Sequence, residues 1–268
     1  MNTETKNLLL QSEKGVLSIQ FNRPEQRNAM SLQMVSELRE ALRTAETDGI
    51  TRVIVLRGSG GHFCAGADLN DMATARALMA DGQPNAVAEA NASFGNLCVA
   101  FANTPLAVIT VVEGTVMGGG FGLACAADVT LANDNAVFRL PETSLGLVPA
   151  QIAPFLVERL GYSEAKRLAV TGAKLNAQQA LSIRLVHESY ATSEALADAL
   201  VNTIETILAC APGAIAATKA LMAKARFSEP ANIVAEAAVL FSQAALSAEG
   251  IEGTIAFLQK RKPYWAQQ

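Results

Sequence analysis

Histidine is almost absent from this chain, and what is missing narrows the chemistry before anything present is read. His62 and His187 are the only two in 268 residues, which makes a histidine-rich metal centre hard to build. Cysteine is nearly as sparse. Cys64, Cys98, Cys125 and Cys210 are widely spaced with no C-x-x-C pair, so they read as buried thiols and suggest neither a zinc site nor a disulfide framework. An excess of positive charge is missing too: a net charge of −4 and a pI near 5.3 leave no electrostatic footprint for nucleic acid or an anionic membrane. No apolar run approaches about 18 residues, and residues 1–6 lack the basic-then-apolar layout of a signal peptide. A soluble, cytoplasmic protein is therefore expected. No G-x-G-x-x-G or G-K-[ST] motif occurs, so nucleotide phosphate is not the favoured guest.

What the chain does have is apolar residues, half of the total, enough for one large domain with its own core. Residues 8–10 and 16–21 predict an antiparallel hairpin. Ser31 is a good N-cap for a helix to about residue 45, with Val35, Leu38 and Leu42 on one face. Residues 52–57, 105–112, 129–132 and 136–138 read as strands. Helices are expected over 68–80, then, after a break at 81–84, to about 103, and over 149–160, 163–170 and 177–181, the last capped by Asn176. The alternation predicts an α/β domain over residues 1–192. Beyond Ser193 the chain reads as nearly all helix, a helical region over 193–268 with Ile233, Ala237, Leu240 and Phe241 as one apolar face.

Three segments carry candidate chemistry. Phe63-Cys64-Ala65-Gly66-Ala67-Asp68-Leu69 and the glycine turn from Met117 to Gly122 each lead into a helix, the second at about Gly122. Glycines at such junctions bring backbone N–H groups close to a ligand, and helix N-termini add unpaired donors and partial positive charge. Two such loops converging on one oxygen that gains charge in a reaction would form an oxyanion hole. The third segment, Phe138-Arg139-Leu140-Pro141-Glu142, places a carboxylate after a strand in apolar company. It is either a solvated loop residue or, where desolvation raises its pKa, a group suited to proton transfer near neutral pH.

Taken in order, Asn22-Arg23-Pro24 with Arg27-Asn28-Ala29-Met30, the Phe63–Leu69 segment, Gly118-Gly119-Gly120 with Ala127-Asp128-Val129, and Phe138–Glu142 with Leu145-Gly146 resemble the enoyl-CoA hydratase/isomerase (crotonase) family. The segments Lys174–Ala180 and Phe257–Lys262 extend the likeness over essentially the whole chain. The resemblance implies a spiral of repeated β-β-α units with a helical C-terminal region, assembled as a homotrimer or homohexamer. It implies an acyl-CoA substrate, with coenzyme A as part of the substrate and no other cofactor or metal, and a hydro-lyase activity. The family's two oxyanion donors match the amides of Ala67 and Gly119, and its proton-transferring carboxylate matches Glu142. Ala65 and Leu69 match the strip that holds the adenine end of CoA. Arg23, Arg27 and the basic run beginning at Lys260 are candidates for CoA phosphate contacts or, equally, solvated surface charges.

Two departures from the family pattern matter. Gly122 stands where hydratases carry a first glutamate, and Pro149-Ala150-Gln151-Ile152-Ala153-Pro154-Phe155 stands where many have a Gly-Ala-Gly-Gly run. That spelling resembles the hydratases of branched glutaconyl-CoA compounds, 3-methylglutaconyl-CoA and isohexenylglutaconyl-CoA. Arg139 is then the nearest cation by sequence for a second substrate carboxylate, with a surface arginine as the alternative. A single glutamate also fits a Δ3,Δ2-enoyl-CoA isomerase, and a lost glutamate fits a non-catalytic acyl-CoA-binding protein, against which the retained Glu142 argues.

Overall fold

The computed structural model describes residues 2–267. A seven-stranded sheet runs in the order β1 (Asn2–Glu4), β2 (Leu8–Glu13), β3 (Val16–Phe21), β4 (Val53–Gly58), β5 (Ala107–Val112), β7 (Val129–Asn133) and β10 (Glu188–Tyr190). A second sheet holds β6 (Thr115–Met117), β8 (Val137–Arg139) and β9 (Lys174–Asn176) in the order β6-β8-β9. The expected hairpin is β2–β3, closed by Lys14 and Gly15, both at positive φ (46° and 76°). Two such residues make the turn whose twist matches that of paired strands. From β3 onward every pairing in the large sheet is parallel, so each strand must be reached by a crossover.

Those crossovers form a spiral with a repeating unit. Each turn supplies a strand to the large sheet, an extended residue or strand to a second layer, and then helix. The first turn is β3, Met30 and α1 (Leu32–Thr47). The second is β4, Cys64, and the pair α2 (Leu69–Ala80) and α3 (Ala86–Asn103). The third is β5, β6 and α4 (Gly119–Ala126), and the fourth is β7, β8 and α5 (Ala153–Thr171). Parallel bridges Met30–Ala67 and Cys64–Val116 and the parallel pair β6–β8 link the second layer from turn to turn. The segments that follow the second-layer residues of turns two, three and four contain Ala67, Gly119 and Glu142. Equivalent stages of consecutive turns lie side by side, so the spiral gathers residues that are far apart in sequence.

Ser31 caps α1, accepting the Met34 N–H at 3.2 Å, and the helix buries Met34, Val35, Leu38 and Leu42 against one face of the sheet. The other face, with Val53, Val55, Ile109 and Leu131, is covered by Leu196 and Ala199 of the helix that follows β10 and α6 (Ala177–Ser182), namely α7 (Ser193–Leu208). Strand β5 is buried along its whole length, as a parallel strand covered on both faces must be. Three further helices end the chain: α8 (Pro212–Ala225), α9 (Pro230–Leu246) and α10 (Ala248–Leu258). Among the described residues no single helix is long and apolar enough to cross a membrane.

Several local expectations are corrected. Helix α4 starts at Gly119, three positions ahead of the expected Gly122, because Gly118 (φ +49°) makes the turn by itself and the later glycines are helical. The first of the two helices expected over 149–160 and 163–170 starts at Ala153, not Pro149, while the break between them falls at Gly161 as expected, where the backbone (φ 73°, ψ 158°) leaves the helical region; together they are α5. Phe241 does not join Ile233, Ala237 and Leu240, which are partly buried; its side chain is 75% exposed. Cys64, Cys98 and Cys125 are buried thiols as expected, whereas Cys210 is exposed.

Candidate active site

The segment ahead of α2 and the turn ahead of α4 touch through their glycines. A Cβ on Gly66 would lie 3.8 Å from Gly118 Cα, and one on Gly118 would lie 3.5 Å from Gly66 Cα. Both have positive φ (+99° and +49°), a conformation that glycine adopts without strain. Most amides around this contact are spent. Gly66 N–H donates to Cys64 Sγ, Asp68 N–H to the Met30 carbonyl at 3.0 Å, and Gly118 N–H to the Arg139 carbonyl at 3.2 Å. The amides of Ala67 and Gly119 are different: neither donates to an acceptor among the described residues. One stands just before the α2 N-cap, Asp68, and the other is the first residue of α4, where helix geometry leaves N–H groups unpaired.

Glu142 reaches the same place from the next turn of the spiral. It opens the 3-10 turn Glu142–Leu145 behind β8, and its Oε1 lies 3.1 Å from where a Gly118 Cβ would stand. The other oxygen, Oε2, is buried and has no hydrogen-bond partner among the described residues. Burial raises the Glu142 carboxyl above the ordinary glutamate range, partly offset by a bond from its own backbone N–H. A desolvated carboxyl beside two unpaired amides combines a proton carrier with donors for developing negative charge.

The raised pKa has a consequence for stability. Below the ordinary glutamate pKa the carboxyl is protonated in both folded and unfolded chains and contributes no difference. As pH rises from there through the raised folded value, the unfolded chain ionises first and folding stability falls. Glu142→Gln is expected to remove this slope and to be more stable than the parent at neutral pH, as measured by urea unfolding across the acid range. An unchanged slope would show that the carboxyl is not desolvated.

Gly122 faces an apolar neighbour, not a second carboxylate. A Cβ there would fall 2.2 Å from Ile152 Cγ2, and Ile152 is only 3% exposed. Gly118 and Gly122 are four residues apart, joined by the Gly122 N–H to Gly118 carbonyl bond, so they share one face of the helix start. Glu142 rests on one and Ile152 on the other. Phe94 of α3 closes a further side, since a Gly119 Cβ would fall 2.9 Å from its ring. Sequence reasoning gave no role to Phe94 or Ile152. Phe94 left no trace beyond the run of glycines, which marks close approach without naming what approaches, and Ile152 was read only as part of the Pro149–Phe155 spelling.

The remaining candidates are distributed unevenly. Arg23 donates to the carbonyl of Ala29, to Gln26 Oε1 and, at 2.7 Å, to Asp68 Oδ2. It is thus engaged in fixing the α2 N-cap, because Asp68 also accepts the Asn70 N–H at 2.9 Å. Arg27 lies exposed with φ 49°, and its carbonyl accepts the Ala65 N–H at 3.0 Å. Ala65 is half-buried and Leu69 is 65% exposed on the same segment. Asn28, fully buried at φ 57°, holds the loops together by donating to the carbonyls of Ser59 and His62 and accepting the Arg23 N–H. Lys260 lies beyond the end of α10 and shares no hydrogen bond or ion pair with this region among the described residues. Arg139 donates Nε–H to the Gly172 carbonyl at 3.0 Å, tying β8 to the end of α5.

For Asp68, burial would raise the carboxyl, but hydrogen bonds from Arg23 and the Asn70 amide outweigh it and hold it below the usual range. The pair is nearly enclosed, with side chains 14% and 7% exposed. Arg23→Met is expected to lower stability by about 2–3 kcal/mol at neutral pH, because it strands a buried carboxylate. That loss should shrink as pH falls through the depressed folded pKa of Asp68, where the carboxyl takes a proton. Urea unfolding at neutral and acid pH checks it, and equal losses at both would refute the assignment.

Comparison with known proteins adds to this geometry. Residues 11–268 match the family described as Enoyl-CoA hydratase/isomerase. The chain is 33% identical over 259 residues to the 2,3-dehydroadipyl-CoA hydratase of Escherichia coli K12, covering 96% of this chain and 97% of the relative. Pseudomonas aeruginosa AtuE is 50% identical with a TM-score of 0.94, over 98% of this chain and 100% of that structure. An enoyl-CoA hydratase/isomerase structure from Marinobacter aquaeolei is 43% identical with a TM-score of 0.93, again over 98% and 100%. The spiral is thus the crotonase fold, and the chain belongs to the enoyl-CoA hydratase/isomerase family.

Proposed function

We propose that this protein is an enoyl-CoA hydratase, and the observation that carries the reading is the pair of unpaired amides, Ala67 and Gly119, beside the buried carboxyl of Glu142. Water adds to the β-carbon of an α,β-unsaturated thioester while the alkene electrons move toward the carbonyl. The oxygen becomes an enolate, which the two amides bind more tightly than the neutral carbonyl. Glu142 takes the proton from water and returns one to the α-carbon. Coenzyme A enters as part of the substrate, and the chemistry calls for no further cofactor.

The acyl chain is branched or carboxylated, of the 3-methylglutaconyl- or isohexenylglutaconyl-CoA type. The Pro149–Phe155 spelling supports this, as does a relative whose name specifies 2,3-dehydroadipyl-CoA. Arg27, Ala65, Leu69 and Lys260 remain open to the CoA moiety. Arg23 reaches a phosphate only by loosening its bonds to Asp68 and the Ala29 carbonyl. The exposed apolar side chains Phe227, Phe241, Leu246, Phe257 and Leu258 on the C-terminal helical region support assembly into a homotrimer or homohexamer. The core of 1–192 and the helical region of 193–268 are the units we assign, in a cytoplasmic protein.

Ile152 in the place facing Gly122 favours one other reading. With a single carboxylate, the site suits proton shuttling between two carbons, as in a Δ3,Δ2-enoyl-CoA isomerase. Product analysis on matched 2-enoyl- and 3-enoyl-CoA substrates separates the two. Formation of 3-hydroxyacyl-CoA from the 2-enoyl substrate is expected; double-bond migration without any hydroxy product would reject hydration.

A further inference from the structure

The turn leading into α5 contains two adjacent side chains that the chemistry above does not use, and each docks on a glycine of a different helix. Gln151 lies against α3: a Cβ on Gly95 would fall 2.0 Å from its Oε1, and its Nε2 donates to Asn91 Oδ1 at 2.7 Å. Ile152 lies against α4, over Gly122. Both glycines are buried; a side chain at Gly122 would run into Ile152 down to its Cα, and one at Gly95 would displace the Gln151 side chain. The residue before Gly95 is Phe94, whose ring faces Gly119. One turn therefore touches α3 and α4 at once, beside the place where the Phe94 ring meets the first residue of α4.

We propose that Gln151 and Ile152 are positioning residues which brace α3 against α4 and so set how the Phe94 ring seats on Gly119, whose amide, with that of Ala67, receives the thioester oxygen of an acyl-CoA. The inference rests on the proposed function, in which Gly119 N–H is an oxyanion donor. Helix α3 also packs on α1, on α2 and directly on α4, so loosening the brace shifts the helix without releasing it. Oxyanion stabilisation falls steeply when a donor and its oxygen move out of hydrogen-bonding distance, which makes the placement of the Gly119 amide a kinetic variable. The Gln151–Asn91 bond fixes α3 along its axis, and the Ile152–Gly122 contact fixes the turn on α4.

The test uses the full-length protein with two readouts, steady-state kinetics on a 2-enoyl-CoA and the near-ultraviolet absorbance of the enolate that a bound 3-ketoacyl-CoA forms. Gln151→Ala is expected to lower kcat about tenfold, equivalent to about 1.4 kcal/mol, with a smaller change in KM. It should weaken the enolate band in parallel. The exchange Asn91→Gln with Gln151→Asn keeps a hydrogen-bonded pair of the same total length and should restore both. Ile152→Val, which removes one methyl group and folds more readily than a larger truncation, should lower kcat less while leaving KM in place. Parent-like kcat and enolate absorbance in Gln151→Ala would overturn the proposal. So would a folded exchange variant that fails to recover, or an Ile152→Val protein indistinguishable from the parent. Failure of the underlying function looks different, because the parent itself would then neither convert an enoyl-CoA nor form the enolate.

Discussion

Glu142→Gln is expected to lower kcat on the preferred enoyl-CoA by about 10²–10⁴-fold, the usual contribution of a positioned general acid or base. Glutamine keeps the shape of the side chain, so it still fits against Gly118, and KM should change little. What disappears is the ability to take a proton from water and give one back. The kinetic loss is set against the expected gain in folding stability at neutral pH, since the amide removes a carboxylate that is buried with one oxygen unpartnered. Opposite changes in turnover and stability from one substitution would identify Glu142 as a residue kept for chemistry at a structural cost. Full turnover in the folded Gln variant would remove Glu142 from the mechanism and leave the two amides without a proton carrier.

Gly122→Glu is the second large effect, and its direction runs against the family pattern. Placing a glutamate where many relatives of this kind are expected to have one looks like restoring a missing acid. In this chain it is expected to destabilise by about 3 kcal/mol or more, because overpacking and a second buried carboxylate act together. The new Cβ would fall 2.2 Å from Ile152 Cγ2 and 2.9 Å from Ile152 Cβ. Ile152 has little freedom to move: it is buried, and its carbonyl accepts the Leu156 N–H at 3.0 Å at the start of α5. Shortening it in the same chain, as Gly122→Glu with Ile152→Ala, should recover part of the loss. Urea midpoints of the two single variants and the double give the coupling between the sites. A stable Gly122→Glu protein with improved hydration would show that the wall yields and that the missing glutamate is only a substitution.

The parts of this structure that were legible in the sequence have local causes. The hairpin depends on Lys14 and Gly15 between two apolar runs, α1 on Ser31 and a one-sided apolar stripe, and α6 on Asn176, which accepts the Gln179 N–H while Gln179 bonds back. The strands β6, β9 and β10 were not legible: each has three residues and pairs only with a distant partner, and none offers a clean apolar run such as the Ala136-Val137-Phe138 that marked β8. At the site, Ala67, Gly119 and Glu142 were chosen by resemblance, and the spiral explains why residues so far apart in sequence share one neighbourhood. The pairing of Gly122 with Ile152, like that of Gly95 with Gln151, leaves no periodic signal: a glycine announces that something is near and not what it is. Arg23 shows the opposite failure, since a cation near a binding segment looked free for a phosphate and is committed to Asp68. Periodicity misled at Phe241, because an apolar stripe does not say which of its members meets a neighbour within the chain.

The arrangement of the spiral also bears on how such a protein diversifies. The groups assigned to chemistry are anchored where one layer hands over to the next, on strands and bridges held by backbone bonds from turn to turn. The α2–α3 excursion, by contrast, leaves after β4 and returns to β5 with its tip, Asp81-Gly82-Gln83-Pro84, in solvent. Lengthening or trimming that tip is expected to leave the pairing of β4 with β5, and the placement of Gly119 and Glu142 in the following turns, unchanged. Chain length can thus vary at an exposed turn without moving the stretches that carry the reacting groups out of register.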